Sequence, residues 1–368
     1  MKRFIELDIL RGFLLLLMVV NHAPTFLRKF TDQPLGFFST AEAFVFVSAF
    51  LAGMLFQSRS EKQGFDAARA ATVSRALRIY RAHVGTLLFA FIVGGLFLAG
   101  LPGIQNLLYH YFQNPGAAVF AALALIFQPP LMDILPMYIL FSLLTPCAFW
   151  AANRWGWKKV LFFSLGLWVL SQFRVRELFL TNVKDASYLD LGPFDLFAWQ
   201  LLWVGGLLFG KAVHEGRPIL QLSATTETLV FISALIFLIL RWDIAPASLD
   251  QIRQLWLFDK WHLGPVRLID FCAVAWIGSR ILPALQRWQT VLRPLSLVGQ
   301  NILPVFCCEI CLSLLLVGAI DPSKSHKPLV SALVIAQILS AFLIAWAVNA
   351  RALARSNMGL PSAEALRP

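Results

Sequence analysis

The chain predicts an all-α integral membrane protein of about ten spanning helices around a central cavity, with one further re-entrant or interfacial helix. Three observations carry this. Hydrophobic residues make up 58% of the 368 positions and charged ones only 14%, a balance outside that of soluble domains. The apolar residues fall in repeated runs of about 17 to 25, the length that crosses a bilayer as a helix. Lys and Arg are also sorted by side. With the N-terminus inside, 19 of the 31 lie on inner loops and ends, 10 lie outside, and Arg11 and Arg267 sit within or at the edge of helices. That bias puts both termini in the cytoplasm. It accounts for the net charge of +11 as topology and excludes a nucleic-acid footprint.

The first span covers about 9–26. No Ala-x-Ala cleavage site follows it and it carries polar residues, so it reads as a retained helix rather than a signal peptide. The second covers about 38–57. Ser58–Ala82 is the most charged stretch, with basic residues at helical spacing. It reads as an interfacial helix with Arg75, Arg78 and Arg81 on anionic headgroups, phosphate contact being the other reading. The third span follows at about 79–100.

Leu101–Leu131 has no Lys or Arg, and its apolar run Ala117–Phe127 is too short to cross before Gln128-Pro129-Pro130. A re-entrant half-helix covering a cavity fits it. The remaining spans fall at about 132–153, 157–173, 193–213, 225–241, 263–283, 296–318 and 327–350. Outer segments 174–194 and 241–262 interleave aromatics with carboxylates, which suits sugar stacking or an interfacial aromatic belt. With no soluble appendage or internal repeat, residues 1–368 read as one integral membrane domain. Cys147, Cys272, Cys307, Cys308 and Cys311 lie in apolar runs without metal-ligand context and read as packing residues. No metal is expected.

The informative polar residues are those inside the spans, since an ionisable group in a bilayer is costly and therefore a candidate site. Arg11 and His22 share the first span, eleven residues apart, which is roughly 16 Å of rise and a return to nearly the same face. Asn21 precedes His22 and Pro24 follows, so the helix ends or kinks there and exposes the imidazole. His22 is either structural or a base able to take a proton from a hydroxyl near neutral pH. Glu42, near the outer start of the second span, either orients His22 as a dyad partner or caps its own helix.

Asp8 lies three residues before Arg11 and can pair with it on one face, or Arg11 can hold an anionic ligand. Asp133 and Tyr138 open the fourth span, and Lys260-Trp261-His262 through Arg267 opens the eighth. Those basic groups can hold an anionic acyl group, orient a glycan or snorkel to headgroups. Asn301 and Glu309 in the ninth span read as polar glue between helices.

An ordered set of motifs runs through most of the chain. It comprises Leu7-Asp8-x-x-Arg11-Gly12, then Asn21-His22, then Ala41-Glu42-Ala43-Phe44-Val45-Phe46-Val47-Ser48. Leu135-Pro136-Met137-Tyr138, Pro193-Phe194-x-x-Phe197-Ala198-Trp199-Gln200, Lys260-Trp261-His262-Leu263-Gly264-Pro265 and Leu303-Pro304-Val305-Phe306-Cys307 follow. The set resembles the OpgC family, membrane succinyl-transferring proteins of periplasmic glucan synthesis that look related to acyltransferase family 3.

The resemblance implies a bacterial inner-membrane acyltransferase. An acyl-CoA donor, succinyl-CoA by family inference, would bind from the cytoplasm, and the acyl group would reach a hydroxyl of an extracytoplasmic glucan. His22 carries over as the catalytic histidine, base or acyl relay, and Arg11 as a residue of the donor channel. The acyl group is open, as is a homo-oligomeric state; the bilayer and a polysaccharide acceptor are the expected partners. Ser48-Ala49-Phe50 stands where many relatives have Ser-Gly-Phe, which makes close helix approach there less assured. A transporter or flippase for a polar lipid or glycan is the alternative reading of ten spans with buried ions.

Overall fold

The computed structural model describes residues 4–181, 190–217, 221–243, 248, 251–252, 255–320 and 327–357. Among them there is no β-strand, and ten long helices stand where the apolar runs place them. These are α1 (Ile5–His22), α2 (Thr40–Gln63), α3 (Phe65–Phe89), α4 (Ile134–Trp155), α5 (Trp157–Gln172), α6 (Leu196–His214), α7 (Ala224–Asp243), α8 (Pro265–Ile281), α9 (Ile302–Ala319) and α10 (Lys327–Asn357). Eight of the helical segments are long and apolar enough to cross a membrane, making this a multi-pass membrane protein. The other two are α1, which carries Glu6, Asp8 and Arg11, and α5, at only 16 residues. The expected ninth span is broken at Asn301, with a separate short helix Arg293–Gln300 before α9.

The basic stretch Ser58–Ala82 is not one helix: it is divided at Gly64, its first residues ending α2 and the rest opening α3. α3 runs without interruption from Phe65 into a π-helical stretch, Ala90–Phe97, giving one apolar-ended segment of 33 residues. Its Arg75 and Arg78 are half-buried and only Arg81 is exposed. The helix brings Arg75 towards Arg11 of α1, with Arg78 beside Arg75. The short helix Pro115–Leu123 spans only 9 residues and is held against α3 where the Tyr80 hydroxyl donates to Leu123 O at 3.0 Å. It is too short to cross, as expected of a half-helix.

α2 and α6 form the tightest seam. Ala49 is fully buried against Gly206, where an added Cβ would meet the Ala49 Cβ at 2.6 Å and Phe46 O at 2.7 Å. Gly210, one turn on, meets the Phe50 backbone. This small-xxx-small pattern is what lets helix backbones approach where lipid supplies no hydrophobic drive. Close approach is therefore made despite the alanine in Ser48-Ala49-Phe50, because the glycines lie on the partner helix. Trp203 of α6 is also fully buried and donates from Nε1 to the Thr145 hydroxyl at 3.0 Å. The cysteines are all free, and Cys147, Cys272 and Cys308 point out of the bundle rather than into its packing.

Candidate active site

α1 carries the two groups that set the axis of the site, Arg11 in its second turn and His22 as its last residue. At the His22 end the helix stops because Ala23 turns extended before Pro24. Asn21 then ties down the chain that follows. Its Oδ1 accepts from the Thr31 hydroxyl at 2.6 Å and its Nδ2 donates to Thr31 O at 3.3 Å. This fixes the short helix Arg28–Thr31, and Arg28 and Asp32 arrive beside His22.

A cavity of about 230 Å³ lies here, lined by Asn21, His22, Arg28, Asp32, Asp133, Lys260 and Trp261 among others. These residues come from three stretches distant in sequence, 21–32, 133 and 260–261. The volume is below that of drug-sized pockets, about 300–1,000 Å³, and suits a small acyl group with one sugar hydroxyl rather than a whole polymer. Two basic side chains, Arg28 and Lys260, face two carboxylates, Asp32 and Asp133. Burial pushes the Asp133 carboxyl up to about 6. Burial also pulls the Lys260 ammonium below its ordinary value, against the opposing pull of Glu42, Asp32 and Asp133.

The wall at Trp261 is fastened through its backbone. Trp261 O accepts from the indole of Trp199 at 3.0 Å and from Asp195 N at 3.1 Å. Leu263 O accepts from the Trp168 indole at 2.9 Å, and His262 O from Gln172 at 2.7 Å. Leu263 itself is fully buried with φ +48°, a left-handed conformation that survives only where surroundings over-determine it. Phe194 packs edge-on against both Trp199 and Trp261. Trp199 thus supports the wall from a fully buried position rather than touching the cavity.

Glu42 and Arg267 are brought together instead of meeting His22. Both are fully buried, and Arg267 Nε donates to Glu42 Oε1 at 2.9 Å while its terminal nitrogen makes a second contact to the same oxygen. Glu42 Oε2 accepts from Ser39 N at 3.0 Å and from the Ser39 hydroxyl at 2.5 Å, completing a capping box at the start of α2. The cap reading of Glu42 holds, and no hydrogen bond joins it to His22. His262 likewise does not line the cavity; it sits with Asp259, Glu177 and Asp195.

A third carboxylate, Glu309, which by sequence reads as polar glue, also borders His22. Glu309 of α9 lines a narrow crevice with His22, Met18 and Phe306. Its Oε1 accepts from Ser340 at 3.0 Å, while the buried Oε2 has no partner among the described residues. Arg28, Asp32 and Glu309 are the residues sequence alone did not place in the site. At the other end of α1, half-buried Arg11 lies within electrostatic reach of Arg75 and the Tyr138 hydroxyl, with Ser48 near Tyr138. Arg78 flanks Arg75, and buried Asp8 lies one turn before Arg11. The sequence-predicted residues therefore divide into a mixed-charge cavity at His22 and a cationic group at Arg11.

The sequence model of the family described as OpgC protein matches residues 3–352, nearly the whole chain and both of these groups. The chain belongs to the OpgC family. OpgC membership indicates a membrane acyltransferase acting on periplasmic glucans. No curated protein and no solved structure matches the chain.

Proposed function

We propose that this OpgC protein transfers a succinyl group from succinyl-CoA, bound on the cytoplasmic side of the bacterial inner membrane, to hydroxyls of a periplasmic glucan. The observation that carries the proposal is the division of α1 between a cationic group at Arg11 and a small mixed-charge cavity at His22. Arg11, Arg75 and Arg78 supply guanidinium groups of the kind that binds phosphates, and so suit the nucleotide end of CoA. The roughly 16 Å along α1 to His22 is the path the thiol arm would follow.

His22 takes the proton of a glucan hydroxyl as its oxygen attacks the thioester carbonyl; the C–O bond forms, the C–S bond breaks, and the imidazolium returns the proton to the departing thiolate. As an acyl relay it would instead hold the succinyl group before passing it on. The free Oε2 of Glu309, in the crevice shared with His22, is the carboxylate suited to orient the ring and to stabilise its cationic form. Arg28 and Lys260 suit the second carboxylate of succinate, which an acetyl group lacks. Trp261, a partly exposed indole in the cavity lining, suits stacking against a sugar ring.

The test uses the purified protein in lipid nanodiscs with neutral glucan and either succinyl-CoA or acetyl-CoA, product being read by mass spectrometry. Succinyl transfer should exceed acetyl transfer by at least tenfold, and R28Q with K260Q should erase that preference. Equal use of the two donors would contradict the role of the cations. No transfer from any donor would contradict the enzyme and put transport of a polar lipid or glycan ahead.

A further inference from the structure

Beside the cavity lining, three segments bring together a second group of polar side chains. They are the short helix Val175–Thr181, the cap of α6 and the stretch 255–264. We propose that Glu177, Asp195 and His262 form a binding site for one divalent metal ion of the zinc class. The ion joins these segments and so holds the cavity wall at Lys260 and Trp261.

One ligand atom from each residue lies within 4.8 Å of the others. His262 Nε2 is 3.2 Å from Glu177 Oε1 and 3.8 Å from Asp195 Oδ2. Ligands about 2 Å from a tetrahedral ion stand roughly 3.3 Å apart, so the three are close to ligating separation already. The other ring nitrogen, Nδ1, is 2.7 Å from Asp259 Oδ2. A carboxylate in that place fixes the tautomer with hydrogen on Nδ1 and leaves the Nε2 lone pair aimed at the two acids, the arrangement that supports metal-bound histidines.

Asp195 supplies the independent sign of a ligand. It is fully buried; its Oδ1 accepts from Phe197 N at 2.7 Å and Ala198 N at 3.3 Å, but its Oδ2 has no hydrogen-bond partner among the described residues. A buried carboxylate oxygen left so is costly unless something occupies it. Glu177 Oε2 is in the same condition. Arg176 pairs with Glu177 at 2.8 Å, and Arg174 reaches Asp259 at only 3.9 Å with its side chain largely exposed. One imidazole among carboxylates suits zinc, whereas calcium and magnesium prefer oxygen alone.

The test uses full-length protein without a polyhistidine tag, stripped with chelator in nanodiscs and then given Zn²⁺ alone. Metal retained after desalting is counted by elemental analysis, and thermal unfolding is followed with and without the ion. The wild type should retain one zinc per chain and unfold at a higher temperature with it. E177Q and H262Q should each lose at least tenfold in affinity, and D259N about 10–100-fold through loss of the orienting carboxylate. Glu177 is half-exposed, so E177Q keeps the test open if H262Q does not fold. Retention of no zinc by the wild type, or equal retention by E177Q and the wild type (an adventitious ion only), would overturn the proposal.

Discussion

Replacing Glu42 by Gln leaves the helix cap able to form, because Gln at this position of a capping box also accepts from the Ser39 backbone. What it removes is the negative charge opposite Arg267, a side chain only 1% exposed. Breaking a buried pair from one side costs about 3–5 kcal/mol, since the remaining guanidinium stays in a low-dielectric interior without its counter-charge. At about 2 °C per kcal/mol for a chain of this size, the midpoint should fall by roughly 6–10 °C. Arg267→Met together with Glu42→Gln takes out both charges, and the double variant should recover more than half of that loss. The assay is thermal unfolding of the four proteins in one detergent, closed as a double-mutant cycle, with acyl transfer per folded molecule measured beside it. Additive losses, or an E42Q midpoint within 1 °C of wild type, would refute the buried-pair reading. A collapse of turnover in E42Q at unchanged stability would return Glu42 to the role of partner to His22.

Other predictions follow from the cavity and the helix seam. Asp133, with its carboxyl pushed up to about 6 by burial, favours folding below the unfolded carboxylate range and loses that contribution as pH rises through 6. D133N should therefore unfold at a higher temperature than wild type at pH 8, with the gap closing towards pH 4, as calorimetry would record. Gly206→Val forces a side chain into Ala49 and the Phe46 backbone and should cost about 1–3 kcal/mol or more, seen as loss of the monodisperse peak in size-exclusion chromatography. Arg75→Gln should raise KM for a CoA donor at least tenfold while leaving KM for the glucan unchanged; equal effects on both substrates would contradict a donor-side role.

The helices were legible because span length and charge bias are properties of local sequence. All ten apolar runs became helices, and the Pro24 break after His22 could be read from the residues themselves. The pairings were not legible, because they depend on which helices become neighbours. Glu42 and Arg267 lie 225 residues apart, and nothing near either one announces the other. Arg75 and Arg78 carry the same local signal as headgroup-facing arginines; only the packing of α3 against α4, α2 and α9 brings Arg75 towards Arg11 and Tyr138, with Arg78 beside it. Glu309 reads as polar glue on its own helix and becomes a candidate partner for His22 only when α9 is set against α1. His262 was expected at the cavity with Trp261, but one residue further along the stretch rotates it into the Glu177 and Asp195 group.

The central claim, acyl transfer through His22 from one side of the membrane to the other, is met most directly in sealed proteoliposomes. Succinyl-CoA is supplied only on the face bearing Arg11 and neutral glucan only on the face bearing His22, and succinylated glucan is counted for wild type and His22→Ala at matched insertion. Product should form with the wild type, at least a thousandfold less with His22→Ala, and none when the two substrates exchange sides. Undiminished succinylation by a correctly inserted His22→Ala protein would contradict it.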